Sequence, residues 1–268
     1  MRPPSALVLA SEAQGASLRR IMDLKLHNKV ALVAGGSAGL GLGCAKALAA
    51  EGVRVALASR SAEKLESALS VLPSGCLGYQ ADLSNHHAGF DLIERVTKDF
   101  GRLDILIANA GGPKAGGYRS VGISDYRAAL EQNFLAMAAL CNGAIPAMAE
   151  FGFGRIIAIT SLYVKAPEPN LILSNTARSA LTAFLKSIAT EVAPLGITVN
   201  SLLPGLHRTE RLERLSQDLE SLAATVPVNK IGDAESFGKI AAFLASEHAW
   251  YITGQAILVD GGKYAGLF

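Results

Sequence analysis

The chain has 268 residues, of which half are hydrophobic and 27 are glycine, values typical of one α/β domain with a large core. Its 25 basic and 23 acidic residues leave a net charge of +2 without a basic cluster, which argues against nucleic acid as a partner. No run of about 18 apolar residues occurs, so we expect no membrane span.

The cysteines and histidines lack the spacing of a metal site. Cys44, Cys76 and Cys141 are odd in number and far apart, which fits neither a secreted disulfide framework nor a set of metal ligands. His86 and His87 have no acid or cysteine spaced to complete a site, and we interpret them as surface residues. We therefore expect a cytoplasmic protein without a bound metal.

Residues 1–21 lack a strong periodic pattern and contain one acid, Glu12. Three interpretations remain open: a disordered tail, a weak targeting peptide, or an upstream start codon with Met22 as the true start. The last is favoured because the sequence from Met22 leads directly into the first predicted strand. We therefore predict a single folded domain over residues 22–268.

From residue 29 onward, short apolar runs alternate with segments of helical periodicity. This pattern predicts an α/β fold with a doubly wound, parallel, seven-stranded sheet, and a helix between each successive pair of strands. The predicted strands are 29–33, 54–58, 76–80, 105–108, 154–160, 198–203 and 256–259. One helix is predicted over 174–193. Ser174 and Arg178 lie four residues apart on it, so their side chains should point to the same side.

The first predicted strand ends in the sequence AGGSAGLG, and a helix follows at once. Gly35, Gly39 and Gly41 would permit a tight turn in which backbone N–H groups and the helix N-terminus approach a pyrophosphate. Ser37 and Leu40 belong to the same loop. The pattern predicts a dinucleotide site, with a purely structural turn as the alternative.

Ser59 and Arg60 follow the second predicted strand, where a dinucleotide fold meets the adenosine ribose. An acid there would accept a hydrogen bond from the 2′-hydroxyl, whereas arginine suits a 2′-phosphate. NADP is therefore favoured over NAD, and an ordinary exposed arginine is the alternative.

With these features the chain resembles the short-chain dehydrogenase/reductase family, close to its 3-oxoacyl-acyl-carrier-protein reductase branch, over residues 25–264. The motifs are the glycine loop at 34–41, ADL at 81–83, ANAGG at 108–112, Asn133 in EQNF, Ser161 in IAITS, LLPG at 202–205 followed by Thr209, and YITGQAILVDGG at 251–262. The resemblance implies a Rossmann fold and a homo-oligomer, either a dimer or a tetramer. The further cofactor contacts that it implies are Asp82, Leu83, Asn109, Ala110, Gly111, Arg178, Pro204, Gly205 and Thr209.

The chain departs from this family at the active site. The family combines Asn and Ser, here Asn133 and Ser161, with a Tyr thirteen residues after the Ser and a Lys four residues later; Ser174 and Arg178 occupy those positions. In typical members the tyrosine protonates the carbonyl oxygen, and the lysine lowers the pKa of that tyrosine and binds the nicotinamide ribose. Serine is shorter and a weaker acid, while Arg178 keeps a charge that can bind the ribose. Ala38 stands where NADP-preferring members often carry a basic residue, so NAD remains possible.

Tyr163 could replace the missing acid, with Lys165 two residues later. The two would share a face only if the chain stays extended after the strand. The alternative is that Tyr163 lines a pocket or an interface and that Lys165 is solvated.

A substrate pocket is predicted between the loop 111–120 and a helical excursion over 205–230. His207, Arg208, Arg211 and Arg214 could meet an acidic substrate group, although a solvated helix whose glutamates neutralise the arginines is the favoured interpretation.

The sequence thus predicts an NADP(H)-dependent oxidoreductase that interconverts a carbonyl and a secondary alcohol at an atypical site. The alternative is a dinucleotide-binding sensor or hetero-oligomer partner without turnover.

Overall fold

A computed structural model of the chain describes residues 22–85, 87–216 and 218–267, so the interpretations of residues 1–21 and of His86 lie outside the described residues. Within them, seven parallel strands form one sheet in the order β3-β2-β1-β4-β5-β6-β7. The strands are β1 (Val30–Ala34), β2 (Arg54–Ser59), β3 (Leu77–Gln80), β4 (Ile105–Ala108), β5 (Gly154–Ile159), β6 (Ile197–Pro204) and β7 (Ala256–Val259).

Helices cover both faces of this sheet. They are α1 (Gly39–Ala50), α2 (Ala62–Leu69), α3 (His87–Phe100), α4 (Ile123–Leu130), α5 (Ala136–Ala149), α6 (Ile172–Val192), α7 (Glu210–Leu215), α8 (Leu219–Ala224) and α9 (Ala234–Ala245). The predicted doubly wound sheet is confirmed, and each predicted strand end lies within one residue of the observed end. The expectation of one helix per connection was wrong for two of them, because α4 and α5 join β4 to β5, and α7 to α9 join β6 to β7.

The core lies on both faces of the sheet, as alternate residues of β1 show. Val30 and Leu32 pack into the cluster that contains residues of α3, α5 and α6. Ala31 and Val33 pack into the opposite cluster, with residues of α1 and α9. A strand buried on both faces needs a nearly continuous apolar run, which is why VALVA forms the centre of the sheet.

The position of β1 decides where the site lies. Its neighbours are β2 on one side and β4 on the other, so the chain reverses its direction across the sheet at this strand. In doubly wound folds, ligands bind outside the carboxyl ends of the strands at such a switch point. The loops that follow β1, β2, β4 and β5 therefore define the candidate site.

Within the described ranges, no helix is long and apolar enough to cross a membrane. His87 is exposed at the start of α3, as expected. Cys44 and Cys141 are buried, which raises the pKa of each thiol to about 12.

Candidate active site

The glycine loop between β1 and α1 is a turn that only glycine fits well. Gly35 and Gly39 have positive φ angles of +57° and +54°, a region that side chains with a Cβ rarely adopt. At Gly41 a Cβ would overlap the backbone oxygen of Gly35 and lie 2.9 Å from Nδ2 of Asn109. That amide donates a hydrogen bond of 3.2 Å to the Gly35 oxygen, so Asn109 fastens the end of β4 to the loop.

The N-terminus of α1 suits an anion. The helix begins at Gly39, its N-cap Ala38 makes no side-chain capping bond, and its first turn, which includes Leu40, holds no acid. The first backbone N–H groups of a helix have no partner inside the helix, and they carry the positive end of its dipole. The residues present therefore fit the pyrophosphate of a dinucleotide.

The carboxyl end of β2 adds two hydroxyl groups and a guanidinium. Ser37 in the glycine loop donates through Oγ to Oγ of Ser59, at 2.8 Å, and Arg60 follows as an exposed residue. Across the loop after β3, the pKa of Asp82 is lowered, mainly by hydrogen bonds from Ser84 and also by the charge of Arg60. Arg60 and Asp82 thus lie near each other at the predicted adenosine end.

The turn after β4 connects the loop to the predicted catalytic residues. Ala110 and Leu83 are partly buried against the core. The carbonyl oxygen of Gly111 accepts a bond of 3.0 Å from Nδ2 of Asn133. The turn 109–111 therefore contacts both the glycine loop and Asn133.

The segment after β6 closes the other side of the cleft. Pro204 ends the strand, and the Gly205 N–H donates to the Val259 oxygen at 2.9 Å. Thr209 caps α7 by accepting from the Leu212 N–H at 3.3 Å. Its methyl carbon would lie 3.4 Å from a Cβ at Gly39, which places Thr209 against the glycine loop.

Asn133 carries a buried polar atom without a protein partner. The residue is 2% exposed and lies in a π-helical turn, Glu131–Leu135, between α4 and α5. Its Oδ1 has no hydrogen-bond donor within the described residues. Because an unpaired buried acceptor costs about 1 to 3 kcal/mol, we expect a water or a ligand to supply the donor.

Ser161 lies directly beyond the end of β5. Its Oγ accepts a bond of 3.2 Å from the N–H of Tyr163 and so caps a short 3₁₀ helix, Leu162–Val164. A serine hydroxyl that accepts still has a hydrogen to donate. Ser161 can therefore donate to a substrate oxygen.

Ser174 and Arg178 lie in the first two turns of α6. Ser174 is 8% exposed. One guanidinium nitrogen of Arg178 donates to the oxygens of Ile159 and Thr160, both at 2.7 Å, and the other donates to the Ala110 oxygen at 3.2 Å. Arg178 thus ties α6 to the carboxyl ends of β4 and β5, with three of its five N–H groups engaged. Ribose binding by Arg178 stays a prediction.

The pKa of Arg178 is lowered to about 10, first by burial and then by the charge of Arg211. The guanidinium nevertheless remains protonated at neutral pH. Arg178 is therefore a permanent positive charge at the site, whereas the tyrosine of typical family members is a neutral acid that gives up a proton.

The structure does not support Lys165 as a partner of Tyr163. The chain does not stay extended after β5 but turns into the 3₁₀ helix, and the Lys165 ammonium lies 5.8 Å from the centre of the Tyr264 ring. Burial, together with the charge of Glu168, raises the pKa of Tyr163. Tyr163 is therefore a weaker acid than a free phenol, the opposite of what proton donation needs.

Only one cation of the basic run 207–214 reaches across the cleft. Arg211 donates to the oxygens of Gly112, at 2.9 Å, and of Pro113, at 3.1 Å. This contact joins the excursion to the loop 111–120, where the sequence predicts the pocket. The contact needs a glycine at position 112, because a Cβ there would lie 2.5 Å from Cζ of Arg211.

The structure gives His207, Arg208 and Arg214 partners or surroundings outside the loop 111–120. His207 is 8% exposed, packs edge-on against Phe237 and has its pKa lowered by burial, so it is neutral at pH 7. Arg214 pairs with Glu210 at 2.9 Å, as the favoured interpretation of this run expected. Arg208 is exposed and lines a cavity of about 550 Å³ together with residues of α1 and α9.

The sheet, its switch point and the glycine loop define a protein of the Rossmann class. Residues 34–263 match a family model described as enoyl-(acyl carrier protein) reductase. The 3-oxoacyl-[acyl-carrier-protein] reductase of Escherichia coli is 31% identical over 242 residues, which cover 90% of this chain and 99% of the relative. The NADPH-dependent reductase BacG of Bacillus subtilis is 32% identical over 255 residues, with 89% and 98% covered.

A solved structure gives the same assignment. The L-sorbose reductase of Gluconobacter frateurii, complexed with NADPH and L-sorbose, superposes with a TM-score of 0.87 at 30% identity, and 92% of this chain and 100% of that chain are covered. The chain belongs to the short-chain dehydrogenase/reductase family, as its motifs indicate.

Proposed function

We propose that the chain is an NADP(H)-dependent oxidoreductase that interconverts a carbonyl and a secondary alcohol without the usual Tyr and Lys pair. The observation that carries the cofactor choice is the cluster of Ser37, Ser59 and Arg60 at the end of β2, beside the glycine loop. Two hydroxyls and a guanidinium suit a 2′-phosphate. The name of BacG and the NADPH in the L-sorbose reductase structure support the same choice.

The chemistry divides between the cofactor and the chain. The bound cofactor supplies or accepts the hydride. Ser161 donates a hydrogen bond to the substrate oxygen, and Asn133 holds a water through Oδ1, its unpaired buried atom. Arg178 stabilises the negative charge that develops on the substrate oxygen, and water supplies the proton. Since a positioned general acid contributes about 10² to 10⁴ in rate, we expect slower turnover than in members with the tyrosine.

Isotope transfer tests this proposal. NADPH deuterated at the transferable position is incubated with a panel of ketones, and the alcohols are analysed by mass spectrometry; NADP⁺ with secondary alcohols tests the reverse direction. We expect deuterium in at least one product, a large loss in Ser161→Ala, and retained transfer in Tyr163→Phe. Loss of transfer in Tyr163→Phe would restore Tyr163 as the proton donor and contradict the role given to water.

The second candidate is a dinucleotide-binding sensor or partner subunit without turnover. It is favoured by the engagement of Arg178 with three backbone oxygens, which a purely structural residue would also show. Tight NADPH binding with no deuterium transfer in either direction would support it over the enzyme.

A further inference from the structure

Two arginines from different elements converge on one loop. Arg178 reaches the Ala110 oxygen from α6, and Arg211 reaches the oxygens of Gly112 and Pro113 from α7. Ala110 and Gly112 are two residues apart, so the oxygens of these two residues lie no more than about 7 Å apart. The charge of Arg211 reaches Arg178, whose pKa it lowers in addition to the effect of burial.

Neither guanidinium has a carboxylate partner within the described residues. Two other arginines do: Arg102 pairs with Asp104, and Arg214 pairs with Glu210. Carbonyl dipoles stabilise Arg178 and Arg211 only partly, and each retains N–H groups beyond those engaged. Two neighbouring cations repel each other, and an anion between them would remove that cost.

The position of the pair separates it from the adenosine end of the cleft. Arg178 lies at the ends of β4 and β5, next to the residues that precede Ser161. Arg211 closes over the loop that follows the turn 109–111. Arg60, in contrast, lies at the end of β2, on the other side of β1. An anion between Arg178 and Arg211 would thus be at the substrate end.

We propose that Arg178 and Arg211 form an anion site for a substrate carboxylate, so that the substrate is an oxo acid whose carboxylate lies within a few bonds of the reacting carbonyl. A guanidinium binds a carboxylate through paired hydrogen bonds, which makes Arg211 the specificity-determining residue. This inference rests on the proposed function. The pyrophosphate of the cofactor is the other source of anionic oxygen, and the test separates the two.

The experiment compares an acid with its neutral ester under conditions without turnover. Acetoacetate and methyl acetoacetate are titrated by calorimetry into the protein saturated with NADP⁺, which cannot reduce either probe, and into the cofactor-free protein. The variants are Arg211→Gln, Arg211→Lys and the matched control Arg214→Gln on the same helix. Melting temperatures verify that each variant is folded, and the Kd of NADP⁺ is measured for each.

We expect the wild-type protein to prefer the acid over the ester by at least about tenfold. Arg211→Gln should weaken acetoacetate about 10- to 100-fold, because glutamine can keep at most one hydrogen bond of the pair and removes the charge. The same variant should leave the ester and NADP⁺ within about twofold. Arg211→Lys should retain part of the preference because it keeps the charge, and Arg214→Gln should retain all of it.

Equal binding of acid and ester, or unchanged acetoacetate binding in Arg211→Gln, would overturn the inference. A tenfold loss of NADP⁺ binding in that variant, with the preference for acetoacetate intact, would also overturn it and assign the pair to the pyrophosphate. Failure of the wild-type protein to bind NADP⁺ would instead contradict the proposed function, and acetoacetate binding to the cofactor-free protein would then still test the anion site.

Discussion

Replacing Arg178 by methionine tests whether its guanidinium joins α6 to the sheet. The change keeps an unbranched apolar stem as far as the position of Nε and removes three hydrogen bonds, two of them at 2.7 Å. At about 2 kcal/mol for each bond to a charged group, these contribute about 6 kcal/mol. Burial of the charge, which also lowers the pKa of Arg178 to about 10, offsets part of this contribution. The net loss of unfolding free energy should be about 3 kcal/mol.

For a domain of this size, that loss corresponds to a fall in Tm of about 6 to 12 °C. Urea and thermal denaturation followed by circular dichroism measure it, with Arg127→Met, an exposed position on α4, as the control. A Tm for Arg178→Met no lower than that of the control would refute the reasoning, because it would mean that the three contacts contribute nothing net.

Three further predictions concern the cofactor loop and the pH dependence of stability. Gly41→Ala should raise the Kd of NADPH at least about tenfold, because its Cβ would overlap the Gly35 oxygen. Gly122→Ala is the control, since a Cβ there meets nothing within 4 Å. Equal NADPH affinities of the two variants in a fluorescence titration would contradict this prediction. Arg60→Gln should weaken NADPH about tenfold and leave NADH unchanged, and a parallel loss for NADH would show that Arg60 does not read the 2′-phosphate. Burial lowers the pKa of His207, so the folded protein binds this proton less readily than the unfolded chain. Unfolding free energy should therefore fall as the pH drops below about 6.5, and urea titrations should show a weaker fall in His207→Gln; an identical pH dependence would contradict a buried neutral imidazole.

The sequence predicts the sheet well because its strands are buried on both faces. A strand that is buried on both faces needs a continuous apolar run such as VALVA or ILIA, and such a run can be recognised from local sequence alone. Glycines in the turns that follow these two runs mark where the strands end. The same local reasoning places Ser174 and Arg178 on one side of a helix, since residues four apart on a helix are neighbours.

Contacts between distant segments could not be predicted in this way. The oxygens that bind Arg178 come from the ends of β4 and β5, which only the folded sheet brings together. His207 stands in a run of charged residues, yet a single bridge to Gly232 brings it against Phe237. The π-helical turn that buries Asn133 joins α4 to α5 and packs against α6, a contact between distant segments that no local signal shows.

The most direct test of the cofactor assignment is a fluorescence titration of the purified protein with NADPH and, separately, with NADH. We predict that NADPH binds at least about tenfold more tightly, because Ser37, Ser59 and Arg60 would face the 2′-phosphate, while the N-terminus of α1 would receive the pyrophosphate of either cofactor. Equal or tighter binding of NADH would contradict the role of Arg60. Failure of both to bind would contradict the dinucleotide site itself and, with it, the proposed oxidoreductase.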